Sequence, residues 1–390
     1  MARIRTYNKI AEPGLQVLRD RNHEVGPEID APQGILVRSA KLHDLEFNPE
    51  LLAIARAGAG VNNVPVEKCT DSGIVVFNTP GSNANSVKEL VVAALLLASR
   101  RIIDGHNWVQ HLTEGDVAAQ VEKGKSAFAG PEIWGKTLGV VGLGAIGVIV
   151  ANAAEALGMR VIGYDPYLSV ESAWGLSRSV ERAKSLESLL SAADYLTLHT
   201  PLMDETKGLI NAESLSKAKK GVRILNFARG GLVNTGDMVT ALGEGRVSVY
   251  VTDFPSDELV GVENVITIPH LGASTPEAEE NSAVMAAGQL ADYIELGTIR
   301  NSVNFPTCEM ELNGGTRILI ANRNVPNMVG QISTVLAEIG INISDMLNRH
   351  RGDVAYNIID IDGDVDATTI DRLRQIEGVM FVRVVRPGQR

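Results

Sequence analysis

Beyond three apolar, strand-like runs of the chain stand residues that can do chemistry. Val222–Asn226 leads into Arg229, Ser248–Thr252 into the carboxylates Asp257 and Glu258, and Val265–Ile268 into His270. In open α/β sheets ligands bind beyond the carboxyl ends of the strands, so these residues share an edge. An arginine fork matches a carboxylate. A histidine exchanges a proton near neutral pH, and a carboxylate beside it favours the imidazolium and fixes the ring. Such a set suits a substrate with a hydroxyl next to a carboxylate, and oxidising it requires a hydride acceptor. Taken singly, the histidine reads as a capped loop residue, the arginine as a surface ion pair and the acids as a solvated turn. Their succession after three strands favours the chemical reading.

An acceptor site lies upstream. Gly142-Leu143-Gly144-Ala145-Ile146-Gly147 is a GxGxxG that follows the strand-like TLGVV and opens a helix ending near Gly158. The next strand, RVIGY, ends at Asp165, eighteen residues beyond Gly147. That is the full context a dinucleotide fingerprint requires: glycines for the turn and close approach of pyrophosphate, helix amides for its charge, and an acid for the ribose hydroxyls. Asp165 would repel a 2′-phosphate, so NAD is expected over NADP.

The elements that must position these residues follow one rhythm. Apolar runs at Gly34–Val37, Leu51–Ala55 and Ile74–Phe77 each end in turn residues, and a helical pattern covers Ser86–Ser99. Strand candidates recur at Thr137–Val141, Arg160–Tyr164 and Tyr195–His199, then in the three runs above, with helical stretches between most of them. This predicts parallel sheets, the second doubly wound. A helix from Pro276 to about Glu295 can carry the chain back to the first domain. A linker is expected at Asn301–Gly315, where Pro306 and Gly314-Gly315 fall. The last stretch predicts strands at Arg317–Ala321, Ile341–Leu347, Ala355–Ile361 and Val379–Val385, with helices at Pro326–Ile339 and Ala367–Ile376. That is a ferredoxin-like βαββαβ order.

With 390 residues, 45% apolar, two or three globular domains are expected. The net charge of −11 argues against nucleic acid as a partner. No apolar run reaches a membrane span and the N-terminus does not read as a signal peptide, so a cytoplasmic protein is expected. Cys69 and Cys308 have neither metal nor disulfide spacing.

The segments NTPGSNANSVKEL, GKTLGVVGLGAIG, LHTPLMDETKGLI, LNFARGGLVN and IPHLGAST are similar to those of D-2-hydroxyacid dehydrogenases, a resemblance covering about residues 1–305. It implies an NAD enzyme with a flavodoxin-like substrate domain over 1–92, completed by about 283–308, and an NAD domain over 93–282. Arg229 would grip the substrate carboxylate, Glu258 would pair with the acid/base His270, and the choice of Glu258 rests on its place five residues after Asp253. Cofactor contacts would add Thr79, Thr200, Pro201, Ala228, Asp253 and Gly272 to the glycine loop and Asp165, with Arg229 and His270 shared. Arg38, Ser39, Gly60, Val61 and Asn62 would face the substrate, Arg38 toward a phosphate. Ala145 replaces an arginine common in the loop, and DFPSDEL replaces the family's usual proline-rich acidic segment.

Residues 316–390 resemble an ACT domain, a module associated with amino-acid binding. On this dehydrogenase it implies oxidation of D-3-phosphoglycerate to 3-phosphohydroxypyruvate, the step that opens serine synthesis, in a homodimer or homotetramer. Asn322, Asn324 and Asn342 would meet an amino-acid effector, although Asn322 stands where serine-binding relatives have histidine. The alternative is that the tail only assembles the oligomer. Competing functions are a glyoxylate or hydroxypyruvate reductase, needing no phosphate site, and a non-catalytic NAD-sensing corepressor.

Overall fold

The computed structural model describes residues 1–312 and 315–386. The chain divides into two compact units, 1–82 with 279–390, and 83–278.

The first unit opens with β1 (Arg3–Tyr7), α1 (Glu12–Asp20), β2 (Glu24–Gly26), β3 (Gly34–Val37), β4 (Ala53–Arg56), α2 (Val66–Asp71) and β5 (Val75–Phe77). The strands form a parallel sheet in the order β2-β1-β3-β4-β5, the flavodoxin-like order. β3 and β5 are buried along their whole length, as strands covered on both faces must be.

The second unit holds α3 (Ala84–Ser99), α4 (Ile102–Gln110), α5 (Val117–Gly124), β6 (Thr137–Val141), α6 (Ala145–Ala156), β7 (Arg160–Tyr164), α7 (Val170–Gly175) and β8 (Glu181–Arg182). It continues through α8 (Leu186–Ala192), β9 (Tyr195–Leu198), α9 (Ala212–Lys217), β10 (Val222–Asn226), α10 (Thr235–Gly243), β11 (Val247–Thr252) and β12 (Val265–Thr267). Its seven strands run β12-β11-β10-β9-β6-β7-β8, reversing direction of growth between β6 and β9, the switch point where dinucleotides bind. The boundary expected after residue 92 falls inside α3; the units part at Ser82, before that helix.

Helix α11 (Pro276–Leu296) returns the chain to the first unit, where β13 (Thr316–Arg323), α12 (Met328–Glu338), β14 (Ile343–Arg351), β15 (Val354–Ile361), α13 (Ala367–Arg374) and β16 (Val379–Val385) follow. The order β14-β15-β13-β16, antiparallel throughout, is the expected ferredoxin-like plan. One face of this sheet packs α12 and α13 through Ile318, Ile320, Ile332, Leu336 and Leu373. The other face joins the main core of the first unit: Leu319, Ala321, Tyr356 and Ile358 cluster with Ile4, Leu36, Phe77 and Leu290.

The expected linker is therefore stitched down over its described length. Asn304 accepts from the Val76 amide at 2.8 Å and donates to the Ile74 carbonyl at 2.9 Å. Phe305 is buried against Tyr356, with ring centroids 6.4 Å apart. An amide side chain that completes a buried strand edge, followed by an aromatic in the core, cannot serve as a loose tether. Residues 313 and 314 of that linker lie outside the described residues. The tail is fastened again by Arg317, fully buried. It binds both oxygens of Asp360 at 2.6 and 2.8 Å and donates to the carbonyls of Leu296, Met310 and Glu311. Gly297, at φ 74°, lets Leu319 approach; a Cβ there would lie 2.3 Å from its Cδ2.

Candidate functional site

In the second unit the β6 turn builds a cradle. Gly142 sits at φ 89°, where a Cβ would fall 2.6 Å from the His199 carbonyl oxygen, and a Cβ on Gly147 would fall 2.0 Å from the Gly142 oxygen. Neither position tolerates a side chain. Gly144 caps α6 without a side-chain acceptor, and the first turn carries no acid, so the helix N-terminus presents its amides and partial positive charge to an incoming anion. Ala145 and Ile146 complete the turn.

Asp165 directly follows β7, and its carboxylate is engaged: one oxygen accepts from the Leu143 amide and the other from the Tyr167 amide, each at 2.8 Å. Beyond it lies a cavity of about 320 Å³ with apolar walls from Leu143, Leu176 and Val180. Thr200 and Pro201 follow β9, next to His199. Burial pushes the His199 imidazole down to about 3, so the ring stays neutral with its Nε2 2.9 Å from the Thr197 hydroxyl. The residues present thus fit a dinucleotide: a bare cradle for the phosphates and an acid beside an apolar cavity for the adenosine.

At the same sheet edge stand the chemical groups. Arg229 is exposed and donates to the Ala228 carbonyl at 2.7 Å, on a turn pinned by Asn226, whose amide donates to the Arg229 carbonyl at 2.9 Å. His270 is also exposed, its ring edge-on to Phe254 with centroids 4.9 Å apart. The carboxylate nearest His270 is Asp253, with 3.8 Å between Nδ1 and Oδ2. Glu258 is exposed and makes no ion pair or hydrogen bond among the described residues.

The pairing expected of Glu258 is therefore made by Asp253 in this structure. Leu259 is buried in the core and its amide closes a turn onto the Ser256 carbonyl, a turn that leaves Asp257 and Glu258 facing solvent. Asp253, directly after β11, is only 1% exposed, and neither oxygen has a hydrogen-bond partner. Burial raises its pKa; His270, the Gly272 amide and Arg229 oppose that rise. A buried carboxylate with no well-formed hydrogen bond is costly to keep, and such groups are often retained for chemistry.

In the first unit, Arg38 directly follows β3 and Arg56 ends β4. Arg38 pairs with Glu279 at 2.5 Å, while the Nε of Arg56 donates to the Arg38 carbonyl at 3.0 Å. Burial and the neighbouring Arg38 lower the pKa of Arg56. Ser39, Gly60 and Asn62 are exposed on the adjoining loops and Val61 is half-buried. Asn63 ties the two loops through the Ala40 carbonyl at 2.8 Å. Arg56 was missed in the sequence because it reads as the last residue of an apolar run; its signal is a cation at a strand end before Ala-Gly-Ala-Gly. Thr79 belongs to this unit and is fully buried, its hydroxyl accepting from Ser82 at 3.2 Å.

The three effector candidates are satisfied within the tail. Asn322 is buried and accepts from Asn357 at 2.8 Å, Asn324 donates to the Gly352 carbonyl at 3.2 Å, and Asn342 donates to Asp362 at 2.7 Å. Among the described residues no cluster could hold a metal ion, and no helix is long and apolar enough to cross a membrane.

Residues 92–272 match the family of D-isomer specific 2-hydroxyacid dehydrogenases, in its NAD binding domain. A D-3-phosphoglycerate dehydrogenase of Haemophilus influenzae is 32% identical over 356 residues, 87% of this chain and 83% of that protein. One from Bacillus subtilis is 34% identical over 325 residues, 78% of this chain and 59% of its own length. One from Rattus norvegicus is 37% identical over 310 residues, 76% and 55%. The chain thus spans little more than half the length of the last two relatives. Among solved structures, an NAD+-bound 3-phosphoglycerate dehydrogenase of Entamoeba histolytica superposes with a TM-score of 0.59 at 27% identity, covering 78% of this chain and 98% of that one. The chain belongs to the D-isomer specific 2-hydroxyacid dehydrogenase family. Its seven-stranded unit is the NAD-binding domain of that family.

Proposed function

We propose that the protein oxidises D-3-phosphoglycerate to 3-phosphohydroxypyruvate with NAD, the reaction that opens serine synthesis. The observation behind the choice of substrate is the pair Arg38 and Arg56. Arg56 bonds the backbone carbonyl of Arg38, the charge of Arg38 reaches Arg56, and of the two cations only Arg38 has an acid partner, Glu279, among the described residues. Two cations on adjoining strand ends suit a doubly charged anion, and the relatives named for phosphoglycerate support the reading. A glyoxylate reductase would have no use for the second arginine. Arg229 holds the substrate carboxylate and orients C2. His270 takes the proton of the C2 hydroxyl, with the charge of Asp253 facing its ring. NAD, when bound, supplies the acceptor for the hydride that leaves C2.

The proposed partner is a second copy of the chain. α4 and α5 bury none of their own residues and leave Ile102, Ile103, Val109 and Val117 exposed, an apolar face of the kind that subunits cover. The tail is read as an ACT-like module. Its internally bonded asparagines support assembly rather than an amino-acid site. Cys69 and Cys308 are both free and buried, and burial pushes both thiols up to about 12. The test is nicotinamide absorbance with 3-phosphohydroxypyruvate, hydroxypyruvate and glyoxylate side by side. A kcat/KM for glyoxylate equal to that for the phosphorylated acid would reject the assignment.

A further inference from the structure

The cavity beyond Asp165 carries three charged side chains: Asp165, Glu181 and Arg182. Two of them are engaged. Glu181 is held by both nitrogens of a bidentate fork from Arg160, at 2.6 and 2.7 Å. Asp165 is held by two backbone amides. Arg182 is exposed and its side chain makes no ion pair or hydrogen bond among the described residues. The arrangement explains why the cation next to Asp165 does not simply neutralise it: the carboxylate is already oriented by Leu143 and Tyr167.

The strand register sets where Arg182 can act. β7 and β8 are parallel, with Gly163 opposite Arg182. Asp165 lies two residues beyond Gly163, so it leaves the sheet on the same face, and its Cα is about 8 Å from that of Arg182 from strand spacing and rise. Gly163 makes room on this face for Leu143, one wall of the cavity; a Cβ there would lie 2.7 Å from Leu143 Cδ1. Arg182 thus lines the same cavity as Asp165, the acid expected to meet the ribose hydroxyls.

We propose that Arg182 is a second determinant of dinucleotide choice, a cation placed to take a phosphate on the adenosine ribose and overruled in the native protein by the charge of Asp165. The proposal rests on the assignment of this unit as the NAD-binding domain. NAD preference is then a balance of two opposed charges rather than the product of one acid. With Asp165 neutralised, the cavity carries an unopposed guanidinium whose planar fork suits a phosphate.

The test is titration of the intact protein with NADH and NADPH, followed by nicotinamide fluorescence and needing no substrate. Asp165→Asn keeps an acceptor for one amide and removes the charge; NADPH affinity should rise on the order of tenfold, as for a hydrogen bond to a charged group. Adding Arg182→Gln should abolish that gain. Arg182→Gln alone, at an exposed side chain that makes no ion pair or hydrogen bond among the described residues, should lower the NADPH to NADH affinity ratio on the order of tenfold, and this decides the matter even if Asp165→Asn fails to fold. An unchanged ratio in Arg182→Gln, or equal NADPH affinity in Asp165→Asn with and without Arg182, overturns the proposal. A native protein that does not bind NADH overturns the cofactor assignment beneath it, and that result appears before any variant is made.

Discussion

Arg56→Met isolates the phosphate reading. The substitution keeps the apolar stem and removes the guanidinium, whose Nε meets the Arg38 carbonyl at 3.0 Å. A hydrogen bond between charged partners contributes about 1.5–3 kcal/mol, and each 1.4 kcal/mol is about tenfold. kcat/KM for 3-phosphohydroxypyruvate should therefore fall by roughly ten- to a hundredfold. Hydroxypyruvate, which has the same carboxylate and carbonyl but no phosphate, should change by no more than about threefold. Folding should move the other way or not at all. Arg56 is a partly buried cation beside a second cation, and both burial and Arg38 disfavour its charge. Removing it relieves that repulsion and forfeits a neutral-acceptor bond of about 1 kcal/mol. Steady-state kinetics with the two oxo acids, beside thermal melts, separate the two effects. Equal losses on both substrates would refute the reasoning, because Arg56 would then act on the shared carboxylate or on the fold.

His270→Asn should lower kcat by roughly two to four powers of ten, the usual contribution of a placed acid/base, with NADH binding retained in a fluorescence titration. Asp253→Asn should lower kcat far more than Glu258→Gln; if Glu258→Gln proves the more damaging, the turn over Ser256–Leu259 must open to bring Glu258 to the ring. His199 has a pKa lowered to about 3 by burial, against about 6.5 in an unfolded chain. Its contribution to stability is present above pH 6.5 and is lost as pH falls from there toward 3. Urea midpoints of His199→Gln should consequently fall less steeply with acid than those of the native protein, and parallel slopes would show that His199 does not titrate on unfolding. Arg317→Met should destabilise the first unit by about 3–5 kcal/mol, because Asp360 is left buried and unpaired. Arg317→Met with Asp360→Leu should recover much of that loss in the same denaturant titration.

The glycine loop and Asp165 could be read directly because their spacing is local: strand, turn, helix and acid lie within one stretch of chain. The strands Thr137–Val141, Arg160–Tyr164, Val222–Asn226 and Val379–Val385 stand where the apolar runs place them. β1 is not visible that way. In Arg-Ile-Arg-Thr-Tyr only Ile4 is buried, so no apolar run marks it, although it is an interior strand, paired on both sides. α4 and α5 are hidden for a related reason: with no buried residue they show no periodic face toward a core. The carboxylate beside His270 is a matter of turn geometry. Asp253, Asp257 and Glu258 are chemically alike in sequence, and what separates them is that buried Leu259 rotates the turn outward. Arg56 becomes recognisable only once β3 and β4 are adjacent and bring it to Arg38.

The fate of the tail follows from the same non-local logic. Pro306 and the glycine pair suggest a hinge, and hinges let a regulatory domain move independently. Here Asn304 completes the edge of β5, Phe305 and Tyr356 pack face to edge, Tyr356 donates to the Gly297 carbonyl at 2.9 Å, and Arg317 gathers three carbonyls around a buried ion pair. Leu319, Ala321 and Ile358 belong to the same hydrophobic cluster as Ile4, Leu36 and Phe77. Burial of this kind is cooperative: removing the tail sheet would expose one side of a core that the substrate-side strands also need. A chain cut after Phe305 would lose the partners of Phe305, Gly297 and α11 together, so its failure to act would say nothing about regulation. Any ligand that acts through the tail must instead bind one arrangement of this joined core better than another. The polar atoms of Asn322, already bonded to Asn357, are not free to do so unless that buried bond is first broken.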